Sequence, residues 1–335
     1  MAKVVVTGAA GFIGSWLVDS LIKERHTVYG LDDLSGGYTR NINPRSKFFK
    51  IDLRDKTATK KLIEKISPEI LYHLAADATE GRSQFTPINC TERGIMAYLN
   101  VLIPSINKGV KRVVLTSSMS VYGSQVTPFD ESMETKPDDV YGVNKASMEE
   151  ITKILADVYG FEYVILRPHN VYGERQNLAD PYRNVIGIWI NALLRDKPIY
   201  IYGDGEQQRA FSYIHDAILC ISKSGFEKKC YNEIINIGGK EPITLNEMAK
   251  IVMKEFDKIV KVVYLAPRPK EVKYAYSTYK KSEKLLDYKE KFPLVEGVKR
   301  MIVWAKELGP QNPSYLKTLE LETEQVPKTW KEKLI

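Results

Sequence analysis

The chain has 335 residues, 44% of them hydrophobic, which is enough to bury a large core and argues against a disordered protein. No apolar run approaches the roughly 20 residues that cross a bilayer as a helix, so no membrane partner is expected. The formal net charge of +7 is dispersed, without a short basic stretch carrying interleaved aromatics, so no nucleic-acid partner is expected and a small anionic ligand suits the charge as well.

In chain order, the opening MAKVVVTGAA passes straight into a valine run and is read as a first strand, Lys3–Thr7, rather than a secretory leader. Ile13, Trp16, Leu17, Leu21 and Ile22 recur at helical spacing and predict a helix over Gly14–Arg25. Strands follow over Thr27–Leu31, Lys47–Ile51, Ile70–Leu74, Arg112–Thr116 and Glu162–Leu166. Helical stretches lie near Thr57–Ile66, Arg93–Asn107 and Tyr141–Tyr159. This alternation predicts an α/β fold with a Rossmann-like, doubly wound parallel sheet over residues 1–168, to which the chain returns around 210–240. Beyond residue 168 prolines, glycines and aromatics thicken, and 169–335 is read mainly as a smaller mixed α/β substrate-binding domain. The charged tail, with Trp330 near its end, is left unplaced. Cys90, Cys220 and Cys230 form no CxxC pair and the four histidines are scattered, so no metal is expected, and reduced thiols fit a cytoplasmic protein.

Two motifs carry chemistry. Gly8, Gly11 and Gly14 follow a strand and open a helix, with Phe12 and Ile13 between the last two. Side chains at the first two would collide with the turn or a pyrophosphate, and the helix N-terminus offers N–H groups to phosphate. Asp32 ends the second strand, where a carboxylate accepts both ribose hydroxyls of adenosine and repels a 2′-phosphate, favouring NAD over NADP. Asp33 is the neighbouring alternative. Tyr141 and Lys145 form YxxxK on one helix face, where the ammonium is expected to lower the phenol pKa. Ser118 lies just past the fifth strand, at the carboxyl end of the sheet.

These residues, together with VTGAAGFIG, LDDLSGG, IDLRD, LYHLAA, SQFTP, GVKRVVLTSSMSVYG, YGVNK, LRPHNVYG and IYGDGEQQRAFSYIHD, make the chain resemble the extended short-chain dehydrogenases over most of its length. The resemblance is to the class of UDP-galactose 4-epimerase and related sugar-nucleotide enzymes. It implies NAD as cofactor and Ser118, Tyr141 and Lys145 as the catalytic set. It also implies that Asp52 and Leu53 flank the adenine, and that Leu74, Ala75 and Ala76 line the cofactor pocket. Asn170 would contact the sugar-nucleotide, with Arg209, and less securely Arg268, on its diphosphate. A homodimer through the helices near Arg93–Asn107 and Tyr141–Tyr159 is implied as well.

Within the class, 4,6-dehydratases resemble TDEVYG at the loop that here contains Ser118, Met119 and Ser120, and UDP-glucuronate decarboxylases carry Glu where Ser120 stands. By exclusion the implied reaction is 4-epimerisation of a UDP-hexose of the glucose/galactose type. A 4-ketoreductase, a dehydratase with displaced acids and a non-catalytic NAD-binding regulator are the alternatives. Two departures stand out. The family's NxxGT segment falls on Gly94, with Ala97 and Tyr98 for Gly-Thr, and the loop DATEGRS offers Arg82 as a candidate for an acidic sugar.

Overall fold

The computed structural model describes residues 1–335. Strands β1 (Lys3–Thr7), β2 (Thr27–Asp32), β3 (Lys47–Lys50), β4 (Ile70–His73), β5 (Arg112–Thr116) and β6 (Glu162–Pro168) all belong to one sheet. With Glu233–Ile237 they form a seven-stranded, wholly parallel sheet. From one edge its order is Glu233–Ile237, β6, β5, β4, β1, β2, β3. The winding direction reverses between β1 and β4. That switch point opens a crevice at the strands' carboxyl ends, where doubly wound sheets bind ligands.

Strand alternation divides the core between the two faces. Val4 and Val6 pack with Leu17, Leu21 and Ile218 on one side. Val5 packs with Leu71, Leu102 and Met148 on the other. Helix α1 (Phe12–Lys23) begins inside the glycine motif rather than at Gly14, because Gly11, in extended backbone, is its N-cap. The predicted Arg93–Asn107 helix is instead the end of a longer run. It starts at Pro87, whose ring suits a first helical position, and widens into a π-type turn over Glu92–Met96 before Ala97–Asn107. The turn carries Gly94 close against Asn144.

After β6 the chain builds small sheets. Val171–Tyr172 pairs with Ser212–Tyr213, Ile199–Tyr202 with Val262–Leu265, and Gln208–Ala210 with Pro242–Thr244 and Tyr274–Ala275. Helices Val185–Leu194, Leu245–Phe256 and Leu294–Leu308 pack with them. Between these pieces, Ile214–Ser224 packs on α1 and Glu233–Ile237 extends the large sheet.

The helix Val140–Tyr159 is tied to the sheet by charge. Glu149 accepts from Arg167 Nε at 2.9 Å and Nη2 at 2.6 Å, with the side chains 0% and 2% exposed. Ser117 Oγ donates to the same carboxylate. One turn earlier, Lys145 Nζ donates to Thr116 O at 2.6 Å. A buried pair of this kind is expensive to break from one side, because the survivor keeps its charge without a partner. We predict that Glu149→Ala lowers stability by about 3–5 kcal/mol, read from the urea midpoint at unchanged m-value, and that the double change Glu149→Leu with Arg167→Met costs less.

Candidate active site

The dinucleotide half is built at the ends of β1, β2 and β4. Gly8 turns at φ +70°, and a Cβ there would stand 3.0 Å from the backbone nitrogen of Ala75. A Cβ on Gly14 would fall 2.0 Å from Gly8 O, so α1 leaves the turn at a spacing only glycine allows. No side chain caps Gly11, which leaves first-turn N–H groups beside the cavity for an anion. Thr7 Oγ1 accepts from Leu74 N and Ala75 N, both at 3.1 Å, and meets His73 Nδ1 at 3.0 Å, which locks the β4 loop to β1.

Asp32 is buried. Its carboxylate accepts from Ala10 N at 2.9 Å and Leu34 N at 2.7 Å, and burial raises its pKa. Asp33 is the engaged neighbour: Arg93 Nη1 reaches it at 2.6 Å. Burial pushes the Asp33 pKa up, but hydrogen bonds from Ser35 and Arg93 outweigh it and hold the group below the usual carboxylate range. Asp52 is gripped by Arg54, whose Nη2 lies at 2.6 Å, and Leu53 O accepts from Asn100 Nδ2 at 2.9 Å. Arg93 and Arg54 are thus both satisfied by carboxylates, and no free cation stands out for a 2′-phosphate. The glycine turn, the uncapped helix start and Asp32 fit NAD.

The other half of the site, with Tyr141 and Lys145, stands on the Val140–Tyr159 helix. Asp139 caps it by accepting from Gly142 N at 2.7 Å, and its own pKa is pushed up to about 7 by burial and by Glu80. Lys145 Nζ lies 5.6 Å from the centre of the Tyr141 ring, and burial draws its pKa down to about 8. The expected lowering of the Tyr141 phenol is not what this structure gives. Burial and then the Glu80 carboxylate raise its pKa, and Ser118 opposes them. The physical reason is that burial of the phenol, with a carboxylate nearby, disfavours its anion, while the ammonium is held on Thr116 O with its charge intact. Ser118 Oγ accepts from Ser120 N at 3.1 Å, and Ser120 Oγ donates to Glu80 at 2.7 Å.

The third wall comes from the smaller sheets. Asn170, at φ +35°, donates from Nδ2 to Ala210 O at 2.9 Å. Arg209 donates only to the carbonyls of Gln208, Val272 and Lys273, and so has no carboxylate partner. Arg268 differs: it is paired with Glu271 at 2.8 Å and lies over the Tyr202 ring at 5.0 Å. Arg82 is likewise neutralised, by both oxygens of Asp77 at 2.6 Å, and is stacked on Tyr182 at 4.6 Å.

All the cofactor, catalytic and substrate candidates read from the sequence line one cavity of about 640 Å³, a size suited to ligand binding. The cavity also takes in residues the sequence reading missed. Glu80 sat in a loop noted only for Arg82, Glu271 carried no signal, and Trp330 lies in the unplaced tail.

Comparison with known proteins agrees with this geometry. Residues 4–238 match the model of the NAD dependent epimerase/dehydratase family. A UDP-glucuronate 4-epimerase of Thermodesulfobacterium geofontis is 32% identical over 92% of this chain and 97% of its own. The crystal structure of UDP-glucose 4-epimerase with UDP-glucose from Thermotoga maritima superposes with a TM-score of 0.86 at 32% identity, over 91% of this chain and 99% of that one. UDP-glucuronic acid 4-epimerase from Bacillus cereus, in complex with UDP-glucuronic acid and NAD, gives 0.84 at 31% identity, over 91% and 99%. With its glycine cradle, Asp32 and the Ser118, Tyr141 and Lys145 cluster in one cavity, this chain belongs to the NAD-dependent epimerase/dehydratase family.

Proposed function

We propose that the protein is an NAD-dependent 4-epimerase of a neutral UDP-linked hexose, of the glucose/galactose type. The observation that carries the reading is the meeting of two machines in one cavity. A cradle for the dinucleotide and a Ser118, Tyr141 and Lys145 cluster face the same space, at the carboxyl ends of the sheet. The relatives named above are 4-epimerases of UDP-linked sugars, which supports it.

Bound NAD supplies a hydride acceptor for C4 of the sugar and gives the hydride back, so the reaction has no net redox change. Tyr141 Oη takes the proton of the 4-hydroxyl and later returns one to the same oxygen. Ser118 Oγ donates a hydrogen bond to that oxygen. Lys145 supplies positive charge one helical turn away, favouring the phenolate against the burial and Glu80 that oppose it. Arg209, the arginine of this wall with no carboxylate partner, takes the diphosphate with Asn170 beside it. Held by its nucleotide, the 4-keto sugar turns over without leaving.

Charge favours a neutral sugar. Arg82 and Arg268 are both neutralised by carboxylates, while Glu80 is exposed to the cavity near Tyr141. A uronate would face Glu80 without a free cation beyond Arg209 and Lys145. One observation favours a second reading, elimination of water. Glu80 brings an acid to Ser120 from another loop, although the 118–120 segment itself contains none.

The homodimer expected from the family is supported by Met96, Ile103, Val143, Ile154 and Val158, large apolar side chains 48–64% exposed on the two helices concerned. Three buried free cysteines suit a reducing compartment such as the cytoplasm.

Purified protein with no added cofactor, mixed separately with UDP-glucose, UDP-N-acetylglucosamine and UDP-glucuronate, tests the reading by proton NMR. A new anomeric signal from the 4-inverted hexose is expected, with kcat/KM for UDP-glucuronate about tenfold or more below that for UDP-glucose. A 4-keto-6-deoxy product would instead establish the elimination that Glu80 favours. Tyr141→Phe should lower kcat by about 10²- to 10⁴-fold with bound NAD unchanged.

A further inference from the structure

Past the helix Leu294–Leu308 the chain runs on as a strap, residues 309–335, whose one regular piece is the short turn Lys328–Lys331. It lies beyond the matched family segment. The strap is laced to both sides of the cleft. On the substrate side, Asn191 exchanges two hydrogen bonds with Gln311, both at 2.9 Å, and Leu316 N donates to Tyr182 Oη at 2.9 Å. On the cofactor side, the Glu320 carboxylate accepts from Ile88 N at 2.7 Å and Asn89 N at 2.8 Å, and Glu320 N donates to Phe85 O at 2.9 Å.

Trp330 sits where the strap meets the cavity. Its ring lies 5.1 Å from that of Tyr182 and 5.9 Å from that of Phe85, both edge-on, in a cluster completed by Val326. A Cβ on Gly81 would meet its Cη2 at 3.7 Å. Gly81 belongs to the turn whose Ser83 Oγ accepts from Tyr141 N at 3.2 Å and whose Glu80 accepts from Ser120. Trp330 is therefore one turn of chain from the groups that touch the reacting end. It is 6% exposed and lines the cavity, yet its indole N–H donates to no acceptor in the protein. Trp16 and Trp189 donate theirs to Glu174 O and Tyr200 O, whereas Trp304, which does not line the cavity, has no acceptor in the protein either.

We propose that the strap is a wall of the sugar subsite and that Trp330 is a specificity-determining residue. Its ring packs on the hexose and its free N–H donates to a sugar hydroxyl. The proposal rests on the nucleotide-sugar reading above. It explains why an aromatic cluster is built at the cavity's edge from a segment outside the sheet, with an indole N–H that no protein acceptor takes.

The test is calorimetric titration of the NAD-loaded, full-length protein with UDP and with UDP-glucose, for wild type, Trp330→Phe and Trp330→Ala. Trp330→Phe keeps a ring and the fold while removing the N–H. It should weaken UDP-glucose about two- to tenfold and leave UDP within about twofold, and Trp330→Ala should weaken UDP-glucose further. Unchanged UDP-glucose binding in both variants would overturn the proposal, as would equal losses for UDP and UDP-glucose. Because binding is read rather than turnover, absence of epimerisation bears on the reaction above, while the ratio of the two dissociation constants bears on the wall.

Discussion

A carboxylate sealed from water organises the catalytic side of this molecule. Glu149 takes two hydrogen bonds from Arg167 at the end of β6 and one from Ser117 just past β5. Three elements are thereby fixed to one another: the helix bearing Tyr141 and Lys145, the strand before Ser118, and the strand before Asn170. Each supplies a residue to the cavity. Lys145 repeats the lesson one turn away, because its ammonium is anchored on Thr116 O. Tyr141 and Lys145 are thus set by a rigid frame rather than by a loop, and the proposed reaction needs such positioning to bring a phenol within reach of one sugar oxygen.

Charge inside the cavity is shared out unevenly. Arg54, Arg82, Arg93 and Arg268 each have a carboxylate within 2.6–2.8 Å. Arg209 has only backbone carbonyls, and Lys145 likewise. These two cations without a carboxylate partner are the ones that the proposed reaction sets at the diphosphate and at the reacting hydroxyl. Glu80 works the other way: it raises the Tyr141 phenol and the Asp139 carboxyl. Burial and Glu80 thus both disfavour the Tyr141 phenolate, and under the proposed reaction Lys145 and the positive charge of a bound nicotinamide would oppose them.

The candidate residues that the sequence places most directly are those whose geometry is local. Gly8, Gly11 and Gly14 lie within one turn of backbone, and Tyr141 and Lys145 are set one helical turn apart. Asp32 acts from the end of a strand whose neighbours alternate predictably. What sequence cannot show is who pairs with whom across loops. Arg82 invites an anionic sugar until Asp77 is seen on it, and Arg268, the weaker of the two diphosphate candidates, differs physically from Arg209 in its pairing with Glu271. Glu80 reaches Ser120 from a different strand's loop, so the acid missing from the 118–120 segment is present in space. The π-type turn at Glu92–Met96 shifts a helix start that periodicity placed at Arg93. Trp330 joins the cavity from the end of an aperiodic tail, where neither spacing nor composition places it.

In the proposed reaction one site removes a hydride from C4 of a UDP-hexose and returns the same hydride to the other face. UDP-glucose carrying deuterium at C4, incubated with the protein without added cofactor, tests it most directly by NMR and mass spectrometry. The expected product is the 4-inverted sugar with deuterium retained at C4. Loss of that deuterium to solvent, or its migration to another carbon of the product, would contradict it.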